Sequence, residues 1–364
     1  MRSVAGWLAA AVVWGSMARG AAAAEFPAGR MFEVVEAGPG VFAFVSPETN
    51  GPIPSGNVVA IIGDDGVLVV DSGRFPTLAR RIVSEIRRRT DKPVRYVVHT
   101  HWHLDHIAAD GVFREAFPSA IFVAHEFTRR KIVEKQTPYI RDLAATDEGY
   151  VKYLEERLAS GKRRDGSPLS EEDRRRLSSQ VGDLRLEVAE LAGASVVAPS
   201  LTFESGLDVH LGRRNVRVLF LGKGNTAGDA VVVVPDARVV VTGDLLVSPV
   251  PYGYGCHPAA WIQTLERLIT LDAAAIVPGH GPVQHDWEYA KRVSALLQAL
   301  RAQVAEAVAQ GATLEQVRER VDLSQFRKFF AESRPDRGAA FDEYFEYSAV
   351  DRAYQEATGA MAEE

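Results

Sequence analysis

The sequence predicts an α/β protein built as a four-layer αββα sandwich, extended by a helical insertion and a helical C-terminal segment. Three observations predict it. Short β-rich segments are followed by a helix-like stretch twice over, once in the first 125 residues and once after residue 208. The block between these halves, residues 126–198, is dense in charges of both signs and has no strand pattern until about Val196. From Trp287 onward the apolar residues fall again at helical spacing.

In the first half, segments 32–35, 41–45, 58–62 and 67–70 are rich in β-branched and aromatic residues and read as strands, and 77–89 reads as a helix. Tyr96, Val97 and Val98 form a buried strand that runs out into a loop; 111–117 is helical and 120–124 is a strand closing the half. In the insertion, Leu177, Val181, Leu184, Val188 and Leu191 recur at steps of four and three, the seam of a helix packed on a partner. Ser170 and Asp173, after Pro168, supply a capping-box start for it. Tyr150, Leu154 and Leu158 make the facing stripe on an earlier helix. Such a hairpin either covers apolar surface, walls a substrate cleft, or pairs with a second copy of the chain. The second half has strands at 209–211, 216–221, 230–234 and 239–241, a helix at 259–271 and a last strand at 275–277. Past Trp287, Val293, Leu296, Leu297 and Leu300 share one helix side, and this segment, without a ligand-like cluster, reads as structural cover. The organisation is a catalytic domain over 25–286, with the insertion inside it, and a helical extension over 287–364.

The chemistry is concentrated in His101-Trp102-His103-Leu104-Asp105-His106, three imidazoles and a carboxylate in one short run. On an extended segment His101 and His103 project to the same side and can grip one ion, while Asp105 and His106, past the turn, reach a second. Imidazole and carboxylate suit Zn2+, one or two per chain, and the same donors accept Fe or Mn. The run resembles the H-x-H-x-D-H signature of the metallo-β-lactamase fold superfamily, whose architecture is this αββα sandwich with the metals on the seam between its sheets. Other motifs follow the resemblance. Strand 67–70 ends in Asp71, which by resemblance orients the ligand loop. Strand 239–241 leads to Asp244, which by resemblance bridges both metals, and strand 275–277 leads to Pro278-Gly279-His280, whose imidazole completes the second site.

One motif departs from the family. Gly222-Lys223-Gly224-Asn225-Thr226-Ala227-Gly228-Asp229 keeps the shape-giving residues of the Gly-x-x-His-Thr-x-Gly-Asp loop but has Asn225 where the family has histidine. An amide oxygen is a weaker, neutral donor. The first site (His101, His103, Asn225) is therefore expected to bind less tightly than the second (Asp105, His106, His280, with Asp244 shared). Either Asn225 ligates weakly in a dinuclear centre, or the second site works alone, or the centre is degenerate. Beyond the ligands, Tyr252 and Tyr254 are candidates to hold an oxyanion, Lys223 to pair with a substrate carboxylate, and His257 to face substrate. His99, His125, His210 and His285 lie outside the matched ligand positions.

The first two dozen residues have Arg2, an apolar run from Val4 to Trp14 and Ala22-Ala23-Ala24, the pattern of a cleaved signal peptide over 1–24. The run is too short to span a bilayer, so export to the periplasm or medium without a stable membrane anchor is expected. Cleavage removes Arg2 and Arg19 and no acid, taking the net charge from −6 to −8, which disfavours a nucleic-acid partner. A single cysteine, Cys256, excludes an internal disulfide. The resemblance implies a hydrolase in which metal-activated water attacks a carbonyl of a small substrate such as a β-lactam, lactone or other ester, with Asp105 as a ligand that also handles a proton. Two alternatives stand beside it: a persulfide-dioxygenase-like iron oxidoreductase, disfavoured by Asn225, and a non-catalytic metal-binding protein with a degenerate first site.

Overall fold

A computed structural model describes residues 26–48, 54–162 and 167–361; the expected signal peptide lies outside the described residues. Twelve strands form two sheets among these residues. The first sheet has the order β1 (Glu33–Gly38), β2 (Val41–Val45), β3 (Val58–Ile62), β4 (Val67–Val70), β5 (Val94–Val98), β6 (Ile121–His125) and β7 (Leu201–Phe203). Its first four strands are antiparallel, and β4 to β7 run parallel. The second has the order β12 (Ala275–His280), β11 (Val239–Val247), β10 (Ala230–Val234), β9 (Arg214–Phe220) and β8 (Gly206–Leu211), antiparallel except for β11 and β12.

Alternation along the strands sorts the core into layers. Val59, Ile61, Leu68, Val70 and Val98 meet Val216, Val218, Val232, Val239, Val241 and Val277 between the sheets. The opposite faces of the first sheet's strands (Val58, Ala60, Val67, Val69, Val97) pack on α1 (Pro76–Arg89), with Ile82, Val83 and Ile86, and receive Phe113 from beyond the site loop. That loop holds α2 (Leu104–Ile107), followed by α3 (Asp110–Ala116), which carries Phe113. The outer face of the second sheet (Val231, Val233, Val240, Ile276) is covered by helices that lie later in the chain. Helix on sheet, sheet on sheet, and sheet on helix give the four-layer α/β sandwich.

The insertion starts at the end of β6 with α4 (Glu126–Lys131), which a π-turn (Ile132–Gln136) joins to α5 (Thr137–Ser160); α6 (Glu171–Leu191) follows. The Ser170 hydroxyl accepts from the Asp173 amide and the Asp173 carboxylate accepts from the Ser170 amide, the expected capping box. Val151 and Leu154 of α5 meet Leu177, Val181 and Leu184 of α6, and both helices pack on Phe75 and Leu78 at the start of α1. The expected facing stripe is kept at Leu154 and Leu158 and corrected at one position: Val151 points inward in place of Tyr150, which is exposed. A second correction concerns the sheet. The first half does not close at β6, because the chain returns from the insertion to add β7 alongside it, so the insertion is the crossover between two parallel strands.

The second half continues with α7 (Pro258–Leu268), and beyond β12 come α8 (Glu288–Ala309), α9 (Leu314–Arg320), α10 (Ser324–Ala331), α11 (Pro335–Phe341) and α12 (Tyr347–Thr358). Trp261 and Leu265 of α7, Val293, Leu296 and Leu300 of α8, Phe330 of α10 and Ala349 of α12 belong to one buried cluster. No helix among the described residues is long and apolar enough to cross a membrane.

Candidate metal centre

The six donors singled out in the sequence come from the loop and helical turn after β5, from within β11 just past the irregularity at Gly243, and from the last residue of β12. β5 ends at Val98, the chain bends at Thr100 and again at Trp102, and a single turn of helix, α2, starting after extended His103, then carries Asp105 and His106. Two groups result. In one, ligand atoms of His101, His103 and Asp244 all lie within 4.8 Å of one another; in the other, those of Asp105, His106 and His280 do. One Asp244 oxygen is 3.6 Å from His101 Nε2, and the other is 3.2 Å from His106 Nε2 and 3.6 Å from His280 Nε2. A single carboxylate therefore presents one oxygen to each group.

Asp71 sets the tautomers. It stands at the end of β4 with φ of 60°, and its Oδ1 accepts from the Thr100 amide at 2.7 Å. Its Oδ2 lies 2.8 Å from the Thr100 hydroxyl and 2.9 Å from His106 Nδ1. A carboxylate only accepts, so His106 carries its proton on Nδ1 and turns the Nε2 lone pair inward. The Thr100 hydroxyl spends its proton on Asp71 and so accepts from His101 Nδ1, 3.0 Å away, which frees His101 Nε2 in the same way. Two glycines give the room. A Cβ on Gly279 would lie 1.9 Å from Asp244 Oδ1, and one on Gly56 would lie 2.5 Å from the His106 ring.

Electrostatics match this crowding. Burial, helped by His106, holds the His101 imidazole well below its ordinary value. Burial works the same way on His106, but Asp244, Asp105 and Asp71 outweigh it and raise that imidazole. For Asp105 and Asp244 burial favours the neutral acid, yet His106 and His280 draw both carboxyls below the usual range. His101 Nε2 and His103 Nδ1 are 3.0 Å apart, and His106 Nε2 and His280 Nε2 are 3.2 Å apart. Imidazole nitrogens and carboxylates converging so closely fit a divalent cation in each group. Asn225 is fully buried, its amide nitrogen donates to the carbonyl of Tyr252, whose ring lies against that of His103, and its amide oxygen has no hydrogen-bond partner among the described residues.

The groups open onto a cavity of about 600 Å3 with His103, Asp105, Asp244 and His280 in its wall. Tyr252 lines it too, its ring 5.8 Å from that of His103. Burial and then the charges of Asp105 and Asp244 push the Tyr252 phenol up, so it keeps its proton. Three other candidates are corrected. Lys223 is exposed and off the cavity wall, its carbonyl held by the Thr264 hydroxyl, while Asn225, two residues on, is the buried side chain of the loop. Tyr254 is 65% exposed and lies outside the wall, against Tyr252. His257 is buried at the start of α7, its amide donating to Gly224. His99 faces Asp110 at 3.2 Å, and His125 caps α4.

The wall also holds residues that the sequence did not single out. Arg74, directly after the Asp71-Ser72-Gly73 motif, could have been found from that position; its guanidinium is held by buried Glu187 of α6. Arg337 and Tyr344 come from the C-terminal helices, which are thus more than cover. Arg337 spans the mouth to Glu48, two nitrogens donating at 2.8 Å each.

A model of the metallo-beta-lactamase superfamily matches residues 52–280. The chain is similar to a linear primary-alkylsulfatase of a Pseudomonas species, 26% identical over 228 residues, which are 60% of this chain and 40% of that protein. The chain thus spans less than half the length of that relative. Among solved structures it is similar to a metallo-beta-lactamase from Pontibacter korlensis, with a TM-score of 0.52, 19% identity, and coverage of 73% of this chain and 99% of that one. A metallo-beta-lactamase from Hirschia baltica gives a TM-score of 0.50 at 15% identity, covering 73% and 98%. With the model spanning well over half of the chain and the sandwich shared with these structures, the chain belongs to the metallo-β-lactamase superfamily, most of whose members are hydrolases.

Proposed function

We propose that the protein is an exported zinc hydrolase that cleaves a small ester-type substrate in the cavity above His103, Asp105 and His280. The observation that carries this reading is the pair of three-donor groups with Asp244 offering one oxygen to each. His101, His103 and Asp244, with Asn225, would hold one cation and Asp105, His106 and His280 the other; such ions supply Lewis acidity and make water acidic enough to react near neutral pH.

The chain's own groups do the rest. Asp105, 2.9 Å from His280 Nε2, is the carboxylate at the cavity floor positioned to take a proton and return it to a leaving group. The protonated Tyr252 phenol is a donor for a developing oxyanion. A cavity of about 600 Å3 suits a small molecule. A carbonyl ester, lactone or β-lactam is the first reading. A sulfate ester is the second, favoured by the similarity to a linear primary-alkylsulfatase.

Metal analysis of the purified chain, with a hydrolysis screen over β-lactams, acyl lactones, thioesters and primary alkyl sulfates, tests this. Zinc in the protein and turnover of one class are expected. A chain that retains no metal after dialysis against zinc, or that retains iron alone, overturns it.

A further inference from the structure

We infer that the C-terminal helical extension is a working part of the first cation site: through the backbone of Tyr252 and Gly253 it fixes the Asn225 carboxamide with its oxygen presented as a donor. This rests on the proposed metal centre and goes beyond it, since the segment concerned lies outside the span that the family model matches.

Asn225 is completely buried, and its Nδ2 donates to the Tyr252 carbonyl at 2.9 Å. A carbonyl only accepts, so the amide cannot be reversed without facing two acceptors against each other; the hydrogen bond decides which end is oxygen. The other end is Oδ1, buried and without a hydrogen-bond partner among the described residues. An orphaned buried amide oxygen costs roughly 1–3 kcal/mol unless something satisfies it, and this one belongs to a side chain bound to the backbone of Tyr252, whose ring lies 5.8 Å from that of His103 in the cavity wall. The loop cannot easily relax, because the Thr226 amide and hydroxyl are both held by Asp229 at 2.8 and 2.9 Å.

What holds the Tyr252 carbonyl in turn is the extension. The Gly253 amide donates to the Tyr344 carbonyl at 2.8 Å, in the turn between α11 and α12. The approach is close: a Cβ on Gly253 would lie 3.0 Å from the Phe345 carbonyl oxygen and 3.1 Å from the Ala349 Cβ. Phe345 and Ala349 are fully buried in the large outer cluster, so the surface against which Gly253 rests is rigid. Gly253 is thus a positioning residue for Asn225, which has no sequence neighbour in the extension to do this.

The test is Co2+ titration of the full chain, followed by absorption spectra, for wild type, Asn225→Ala, Gly253→Ala and the double variant. Wild type is expected to take two equivalents. Asn225→Ala and Gly253→Ala should each weaken the looser equivalent at least tenfold, the usual scale for losing an outer-shell partner, and leave the spectrum of the tighter one unchanged. The double variant should be no worse than Asn225→Ala alone, since Gly253 acts through Asn225; additive losses, or less than a twofold loss in Gly253→Ala, overturn the inference and leave the metal centre standing. A wild-type chain that takes no Co2+ overturns the centre itself. Should Gly253→Ala not fold, the Asn225 side-chain NH2 resonance of the wild-type chain, identified by its absence in Asn225→Ala, decides. It should be protected from exchange without metal and shift as the looser equivalent fills with Zn2+. A freely exchanging or metal-blind resonance overturns the inference.

Discussion

Glu187→Ala offers a direct measure of how firmly the insertion is tied to the site. Glu187 and Arg74 are 4% and 13% exposed in their side chains, and Nε and Nη2 of Arg74 both donate to the same Glu187 oxygen. At an effective dielectric constant near 20, a contact pair of this kind attracts by about 4 kcal/mol. Removing one partner strands the other in a site poor in water, so each single alanine variant should cost roughly 3 kcal/mol. The double variant should cost well under the sum, with a coupling of about 2 kcal/mol. Urea unfolding in the presence of a chelator, which removes the contribution of bound metal, measures all four corners of the cycle. Glu190, which accepts from the Thr77 amide and hydroxyl at 2.9 and 2.7 Å, anchors the same helix independently and should leave the coupling untouched. A coupling below about 0.5 kcal/mol would place Arg74 and Glu187 among ordinary surface pairs and refute the claim that α6 clamps the cavity wall.

Further outcomes follow from single contacts. Gly279→Ala should displace Asp244 and sharply reduce metal content while the fold survives in circular dichroism; full metal retention would refute the close-approach reading. Asp105→Ala should abolish turnover of whichever substrate the screen identifies, and retained activity would reject the proposed centre. Asn225→His should move metal content in limiting zinc toward two per chain, measured by elemental analysis; a count that falls instead would show that the loop accepts only the amide. Arg337 holds the Glu48 carboxyl below its ordinary 4.5, so this pair contributes in full above that pH and is lost as pH falls through the lowered value. The stability difference between wild type and Glu48→Gln should accordingly be constant near neutrality and vanish on acidification, and a difference that persists in acid would show that the pair does not bridge the mouth.

The donors were legible in the sequence because each belongs to a short motif that follows an apolar, strand-like run. His101, His103, Asp105 and His106 lie within one short run, and Asp71, Asp244 and His280 each follow an apolar run, though the sequence did not show that β11 continues through Asp244 to Val247. The interior of the sandwich was legible for the same reason, through alternation along β3, β9 and β11. Other features leave no such trace. β7 is three residues long and sits at the sheet edge, too short for a period to show, so the return of the chain from the insertion was not visible. Tyr150 and Val151 both fit a helical stripe, and only packing on Phe75 and Leu78 selects the second. Lys223 and Asn225 are two residues apart in one glycine-rich loop, and which of them is buried depends on contacts distant in sequence, among them Thr264 on the Lys223 carbonyl and the Tyr252 carbonyl on the Asn225 side-chain amide.

The C-terminal extension shows why motif boundaries and packing boundaries differ. The motifs end at His280, yet the outer face of the second sheet is covered in large part by α8 and the helices after it, so the sheet that carries Asp244 and His280 has no dry outer side without them. The same helices reach back along the chain at separate points. Glu356 accepts from the Ala259 amide at the start of α7, and Arg352 donates to the Cys256 carbonyl. Tyr344 accepts from Gly253, and Arg337 binds Glu48 across the cavity mouth. Three of these contacts fall on residues 253–259, the stretch that joins the bridging carboxylate's strand to α7, and each fixes backbone rather than side chain. Two of the three are made by charged side chains of the extension, Glu356 and Arg352, which in a sequence look like an ordinary solvated helix face, and the third by the Tyr344 carbonyl, which leaves no side-chain trace; this is why nothing in its composition marks the segment as part of the site.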